Sequence, residues 1–168
     1  MGMSVTISTA EESDAEKILK LQYLCYQSEA EIYGDYTIEP LTQTLDELRA
    51  ELAGGCVLVA RLGPEVVGSV RGTVDGDGTA VIGKLIVHPR LQRHGLGGRL
   101  LAALEDRLAA EREAKVYQLS TGHRSEVNLR MYRKLGYSQV GAARPVNRRL
   151  SMVTLEKPAE QAPFAASA

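Results

Sequence analysis

Apolar positions recur along the chain at two distinct spacings, and these divide it into elements. Val5 and Ile7 alternate with polar residues and predict a short opening strand from Val5 to Ser8. Ser13 and Glu16 have the spacing of a capping box, after which Ile18, Leu21 and Cys25 fall on one helical face. The stretch from Gln27 to Pro40 is polar and irregular, broken by Gly34 and Pro40, and reads as a loop. Leu41, Leu45, Leu48 and Leu52 predict a second helix, stopped by Gly54 and Gly55. Three strand signals follow: Cys56 to Arg61, Val66 to Val74 and Thr79 to Val87, separated by turns at Gly63-Pro64 and Asp75 to Gly78. The spacing then predicts a long helix from Gly98 to Glu113 with Leu100, Leu104 and Leu108 on one stripe. A strand from Val116 to Ser120, a helix from Ser125 to Leu135 capped by Gly136, and a last strand from Leu150 to Leu155 complete the series.

This order gives one α/β domain over residues 1–157, without internal repeats. The Pro/Ala-rich residues 158–168 are expected to form a disordered tail. A length of 168 residues, 44% of them hydrophobic and 24% charged, suits one domain with a substantial core. A net charge of −1 provides no broad hold on phosphates, so nucleic acid is not an expected partner. No apolar run approaches the roughly 20 residues a membrane span requires, and the first residues lack the features of a secretory signal. Cys25 and Cys56 are too few for a disulfide framework or a metal cage, and the three histidines are dispersed. The expectation is a reduced, cytoplasmic protein without metal or membrane. Asp75 and Asp77 lack the further acidic ligands of a calcium loop and read as turn residues.

The chemistry concentrates between the third meander strand and the long helix, in Gln92-Arg93-His94-Gly95-Leu96-Gly97-Gly98. Backbone amides at a helix start lack partners and carry positive partial charge, and glycines let a ligand approach the backbone. The loop therefore suits a phosphate group. It is not a Walker loop, because Arg99 and Leu100 follow Gly98 where Lys and Ser/Thr are required. It is not a dinucleotide fingerprint either, because Leu100 occupies the third small position.

The run from Leu85 to Gly98, with Gln92, Gly95 and Gly97 at its defining positions, resembles the acetyl-CoA motif of the GCN5-related N-acetyltransferase family. Asn128 to Tyr137 resembles the family's second signature, and the order of elements matches from Val5 to Leu155. The resemblance implies a mixed, mostly antiparallel sheet flanked by helices, with acetyl-CoA in a split between two parallel strands. It implies that residues 92–98 hold the pyrophosphate and that main-chain groups of Leu85, Ile86 and Val87 align the thioester. Leu85 or Ile86 would supply an oxyanion amide, and Gly83 would mark a strand bulge. Asn128 would meet the pantetheine arm, and Tyr132, one helical turn on, would protonate the departing thiolate.

The implied reaction is direct transfer of an acetyl group from acetyl-CoA to a primary amine of a small molecule. A lysine or N-terminal amine of a peptide is the alternative acceptor, and a non-catalytic acyl-CoA-binding module is the third reading. Relatives are often dimers, so a homodimer is also an implied expectation. Many relatives carry a glutamate on the meander strands as base, whereas residues 79–87 contain none. Glu31, Asp35, Glu39 and His123 are the candidate bases, with relay through water to solvent as the alternative. The acidic segment with Glu29, Glu31, Asp35 and Glu39, and with Tyr33 and Tyr36, reads first as a solvated loop and, in the alternative, as a surface that would attract a cationic amine.

Overall fold

The computed structural model describes residues 4–159. In chain order these form β1 (Val5–Thr9), α1 (Ala15–Cys25), α2 (Gln27–Tyr33), α3 (Glu39–Thr42), α4 (Leu45–Gly54) and β2 (Cys56–Leu62). Next come β3 (Glu65–Val74), β4 (Thr79–Val87), α5 (Leu96–Arg112), β5 (Val116–Gly122) and α6 (Glu126–Lys134), then β6 (Ser138–Gln139), β7 (Arg144–Pro145) and β8 (Ser151–Pro158). One sheet holds the strands in the order β1-β2-β3-β4-β5-β8-β6, with β7 also on β8. The β4–β5 pair is parallel and every other pair is antiparallel, the mixed sheet the sequence implies.

Alternation within the strands assigns the two faces. On β2, Leu58 and Ala60 point to a core built with Leu100, Leu101, Leu104 and Leu108 of α5. Val57 and Val59 point the other way, to Ala15, Ile18, Leu19 and Leu21 of α1 and Leu48 of α4. The sheet is therefore covered on both sides.

Several expected boundaries move. The segment read as a loop from Gln27 to Pro40 contains α2 and the start of α3. Only Ala30 and Tyr33 of α2 are buried, so its polar surface hides the helical pattern. The helix expected from Leu41 begins at Leu45, where Thr44 and Glu47 form the capping box. The box expected from Ser13 and Glu16 is replaced by Asp14, whose carboxylate accepts the Glu11 N–H at 2.8 Å. β8 reaches Pro158, so the first residue of the expected tail joins the sheet, and the Ala159 N–H donates to the Lys115 carbonyl at 2.9 Å. Residues 160–168 lie outside the described residues.

Asp14 also receives both ends of the Arg61 guanidinium, at 2.8 and 2.5 Å, which ties the start of α1 to β2. The Arg61 hydrogen bond, more than any other influence, holds the Asp14 carboxyl below its ordinary value. A carboxylate with a depressed folded pKa contributes stability that is present above its unfolded value near 3.9 and is lost as pH falls through the folded one. Asp14→Asn is expected to cost roughly 2 kcal/mol at pH 7. In urea unfolding at a series of pH values, the gap between wild type and variant should close below about pH 4.

Candidate active site

β4 and β5 pair only from Thr79 to Ile82 and from Val116 to Leu119. Beyond that point β5 stays with β8 as far as Gly122, while β4 stays with β3. The two strands therefore separate. A bulge helps: Ser69 pairs with Ile86 but Arg71 pairs with Gly83, so β4 contains one extra residue there. Lys84 takes the unusual backbone conformation, at φ +53°, rather than the expected Gly83. The His88 N–H donates to the Val67 carbonyl on β3. Because the main-chain groups of successive strand residues point to opposite sides, those of Ile86 face β3, so Ile86 is not placed for the thioester or oxyanion role expected of it, and those of Leu85 and Val87 face the opening. The Val87 carbonyl confirms this direction, accepting from the Cys25 thiol at 3.3 Å and from the Gln92 side-chain amide at 3.1 Å.

The glycine loop lies at the same end. Gly95 is the residue before α5 and sits in the left-handed region at φ +75°, where glycine costs least. The first hydrogen bond into the helix runs from the Arg99 N–H to the Gly95 carbonyl, and no side chain caps the amides of Leu96, Gly97 and Gly98. α5 thus starts two residues earlier than expected, and three unpaired amides form its mouth. A Cβ on Gly97 would meet only Met131 and Val87 at ordinary contact distance, so its own fold does not demand glycine. Gln92 braces Val87, Arg93 takes φ +72°, and the side chains of Arg93 and His94 are exposed.

α6 brings the second signature to the opening. The Asn128 amide nitrogen donates to Glu29 Oε1 at 3.2 Å and to Thr121 Oγ1 at 3.3 Å. Both its protons are committed, and the side-chain oxygen is left to accept a hydrogen bond. The Tyr132 ring is buried against Tyr137, with centroids 6.1 Å apart. Its hydroxyl has no hydrogen-bond partner among the described residues. Arg71 Nε is the single sealed side-chain nitrogen or oxygen without a partner there, so the Tyr132 hydroxyl reaches the surface of the cleft. Burial first, and then the charge of Glu29, push the Tyr132 phenol well above its ordinary value.

α2 closes the other side of this cleft. Glu29 Oε2 accepts the Ser125 hydroxyl at 2.6 Å, and the Tyr33 hydroxyl joins Ser125 at 2.7 Å while accepting the Arg124 N–H at 3.0 Å. A Cβ on Gly122 would come within 1.9 Å of the Tyr33 hydroxyl, so glycine at the end of β5 is what admits α2. Tyr26 lies among Tyr132, Arg71, Glu29 and Glu39, and burial pushes its phenol upward.

The expected bases are placed differently. Glu31 and His123 are exposed, Asp35 accepts from Thr37, and Glu39 pairs with Lys84 at 2.7 Å. Glu29 is the carboxylate beside Asn128 and Tyr132. The sequence places Glu29 in the acidic segment but not among the candidate bases. The spacing of Tyr26, Ala30 and Tyr33 is helical and could have revealed α2.

A family model described as acetyltransferase (GNAT) family matches residues 16–137. The chain belongs to this family. No curated protein matches it significantly. Among solved structures, the GNAT neighbour yncA of Salmonella typhimurium, solved with its cofactor acetyl-CoA, is 22% identical with a TM-score of 0.74, over 96% of this chain and 99% of that one. PaiA N-acetyltransferase of Thermoplasma acidophilum, in complex with coenzyme A, is 15% identical with a TM-score of 0.75, over 93% and 99%. The ribosomal-protein-S18-alanine N-acetyltransferase of Escherichia coli is 17% identical with a TM-score of 0.75, over 96% and 98%. At these identities the likeness shows the GNAT fold. Among the described residues no helix is long and apolar enough to cross a membrane, and no three His, Cys, Asp or Glu side chains are grouped to hold a metal ion.

Proposed function

We propose that the protein transfers the acetyl group of acetyl-CoA directly to a primary amine, most simply that of a small molecule. The observation that carries this reading is the meeting of three unpaired features: the α5 amides, the open edge of β4 and the Tyr132 hydroxyl. Acetyl-CoA supplies the activated acyl group. Amides of Leu96, Gly97 and Gly98 suit its pyrophosphate, and an extended pantetheine arm can add as a short strand to Leu85 and the Val87 N–H, the Val87 carbonyl being taken by Cys25 and Gln92. Asn128 Oδ1 is available to accept an amide N–H of that arm. A free main-chain amide at Leu85 or Val87 is suited to receive charge developing on the acyl oxygen. The Tyr132 hydroxyl stands ready to donate its proton to the departing sulfur.

Direct transfer needs no protein nucleophile, and the nearest thiol is a poor one. Burial pushes the Cys25 thiol up to about 11, so it remains protonated at neutral pH. Both cysteines are free, which supports a reducing compartment, the cytoplasm. The test is release of coenzyme A thiol from acetyl-CoA across spermidine, kanamycin, free amino acids and short peptides. Turnover of a small amine supports the reading. Turnover of peptides alone would move the acceptor to proteins, and binding without thiol release would leave an acyl-CoA-binding module.

A further inference from the structure

We propose that Glu29 of α2 is the proton acceptor for the incoming amine, the base that β4 does not provide. This rests on the acetyltransferase reading above and adds a residue to it. Glu29 enters the cleft from α2 and is held against α6, the helix of Tyr132, by the Asn128 side chain at 3.2 Å and by Ser125, the residue before that helix, at 2.6 Å. Each carboxylate oxygen accepts one of these hydrogen bonds and keeps a further lone pair, so the group can still bind an ammonium. Glu29 is half-buried, which leaves it a path to solvent.

The surroundings argue against a purely structural role. Tyr26 and Tyr132 are the titratable groups whose phenols feel the Glu29 charge, from α1's end and from α6. Arg71 and Glu39 act on the same Tyr26, and Arg71 is already held by Glu51, Gln43 and Gln22. Glu39 is held by Lys84. The hydrogen bonds of Glu29 come from the neutral donors Ser125 and Asn128, and among the described residues no cation forms an ion pair with it.

The proton balance closes with these two side chains. Glu29 takes one proton from the acceptor ammonium, freeing the nitrogen lone pair. The C–N bond forms, the C–S bond breaks, and the Tyr132 proton goes to sulfur. The second proton leaves the new amide nitrogen to restore the Tyr132 hydroxyl, and Glu29 returns its own to solvent. The net products are the amide, the thiol of coenzyme A and one proton.

The test is the pH profile of kcat/KM for Glu29→Gln, with acetyl-CoA and the amine of the panel that the wild type turns over fastest. The wild type, able to use the ammonium form, should be flat from about pH 6 to pH 9. Glu29→Gln must wait for free amine from solution, so its activity should rise about tenfold per pH unit and approach the wild type near pH 10. At pH 7 the loss should be roughly 10²–10³-fold. Coenzyme A affinity, measured by titration, should be unchanged. Glu29→Asp, which keeps the carboxylate, should keep the flat profile at lower height, and it takes over the test should Glu29→Gln fail to fold. Parallel profiles for wild type and Glu29→Gln, or a sloping one for a folded Glu29→Asp, would overturn the assignment while leaving the acetyltransferase reading standing. A wild type inactive on every amine of the panel would overturn both.

Discussion

Tyr132→Phe is expected to lower kcat by about 10²–10⁴-fold while leaving coenzyme A affinity nearly intact. The substitution removes one oxygen and no hydrogen bond, because the hydroxyl has no partner among the described residues. The ring contact with Tyr137 and the burial of the ring persist in phenylalanine. Stability should therefore hold at neutral pH, which separates a lost acid from a damaged fold. The raised phenol pKa adds a second signature. A hydroxyl that favours its neutral form in the folded state contributes nothing to a pH dependence of stability below its unfolded value near 10, and weakens the fold only above it. Wild-type activity should consequently show no alkaline decline from Tyr132 between about pH 7 and pH 9. Stopped-flow thiol release with a saturating amine reads the chemical step, and an unchanged kcat in Tyr132→Phe would remove the acid role.

The strands of the meander were readable because their alternation is strong and their turns are marked by Gly, Pro and Asp. The glycine loop was readable for a different reason: Gly95, Gly97 and Gly98 stand together at a strand-to-helix junction, where few structural demands explain them all. Even so, the helix begins at Leu96 and not at Gly98, since Gly95 takes the left-handed conformation that ends the loop. What the sequence concealed was the acceptor side. α2 buries only two residues, so its hydrophobic signal is weak. The contact of Glu29 with Ser125 and Asn128 spans 96 and 99 positions, a separation no local pattern reports. The bulge itself is where Gly83 marks it, but its left-handed residue is Lys84, and a lysine gives no hint of a positive φ. β6 and β7, of two residues each, are too short to leave a period.

The largest loss of stability is expected from Glu105→Ala, beneath the Tyr137 ring that packs on Tyr132. Glu105 is buried on α5, where one carboxylate oxygen accepts the Tyr137 hydroxyl at 2.6 Å and the other pairs with Lys157 at 2.9 Å. The Lys157 ammonium also lies 5.5 Å from the centre of the Tyr137 ring. One carboxylate thus joins α5, the end of α6 and β8. Removing it leaves an ammonium and a phenol in a largely dry site with no partner of opposite charge, and opens a cavity besides. The cost should be about 3–5 kcal/mol. For a chain of this size that lowers the thermal midpoint by roughly 10 °C. Glu105→Gln keeps the volume and an acceptor for Tyr137 but leaves Lys157 without its counter-charge, and should lose about half as much. High salt should rescue neither variant, because buried charges are screened weakly. Glu105 lies ten positions along α5 from Gly95, about 15 Å of helix, and reaches Tyr132 only through the Tyr137 ring, so turnover at 25 °C should fall far less than stability. Calorimetry paired with thiol release would show this separation. A midpoint near that of the wild type would mean that Lys157 and Tyr137 find solvent when the carboxylate is gone, and that α5 is held by its leucines alone.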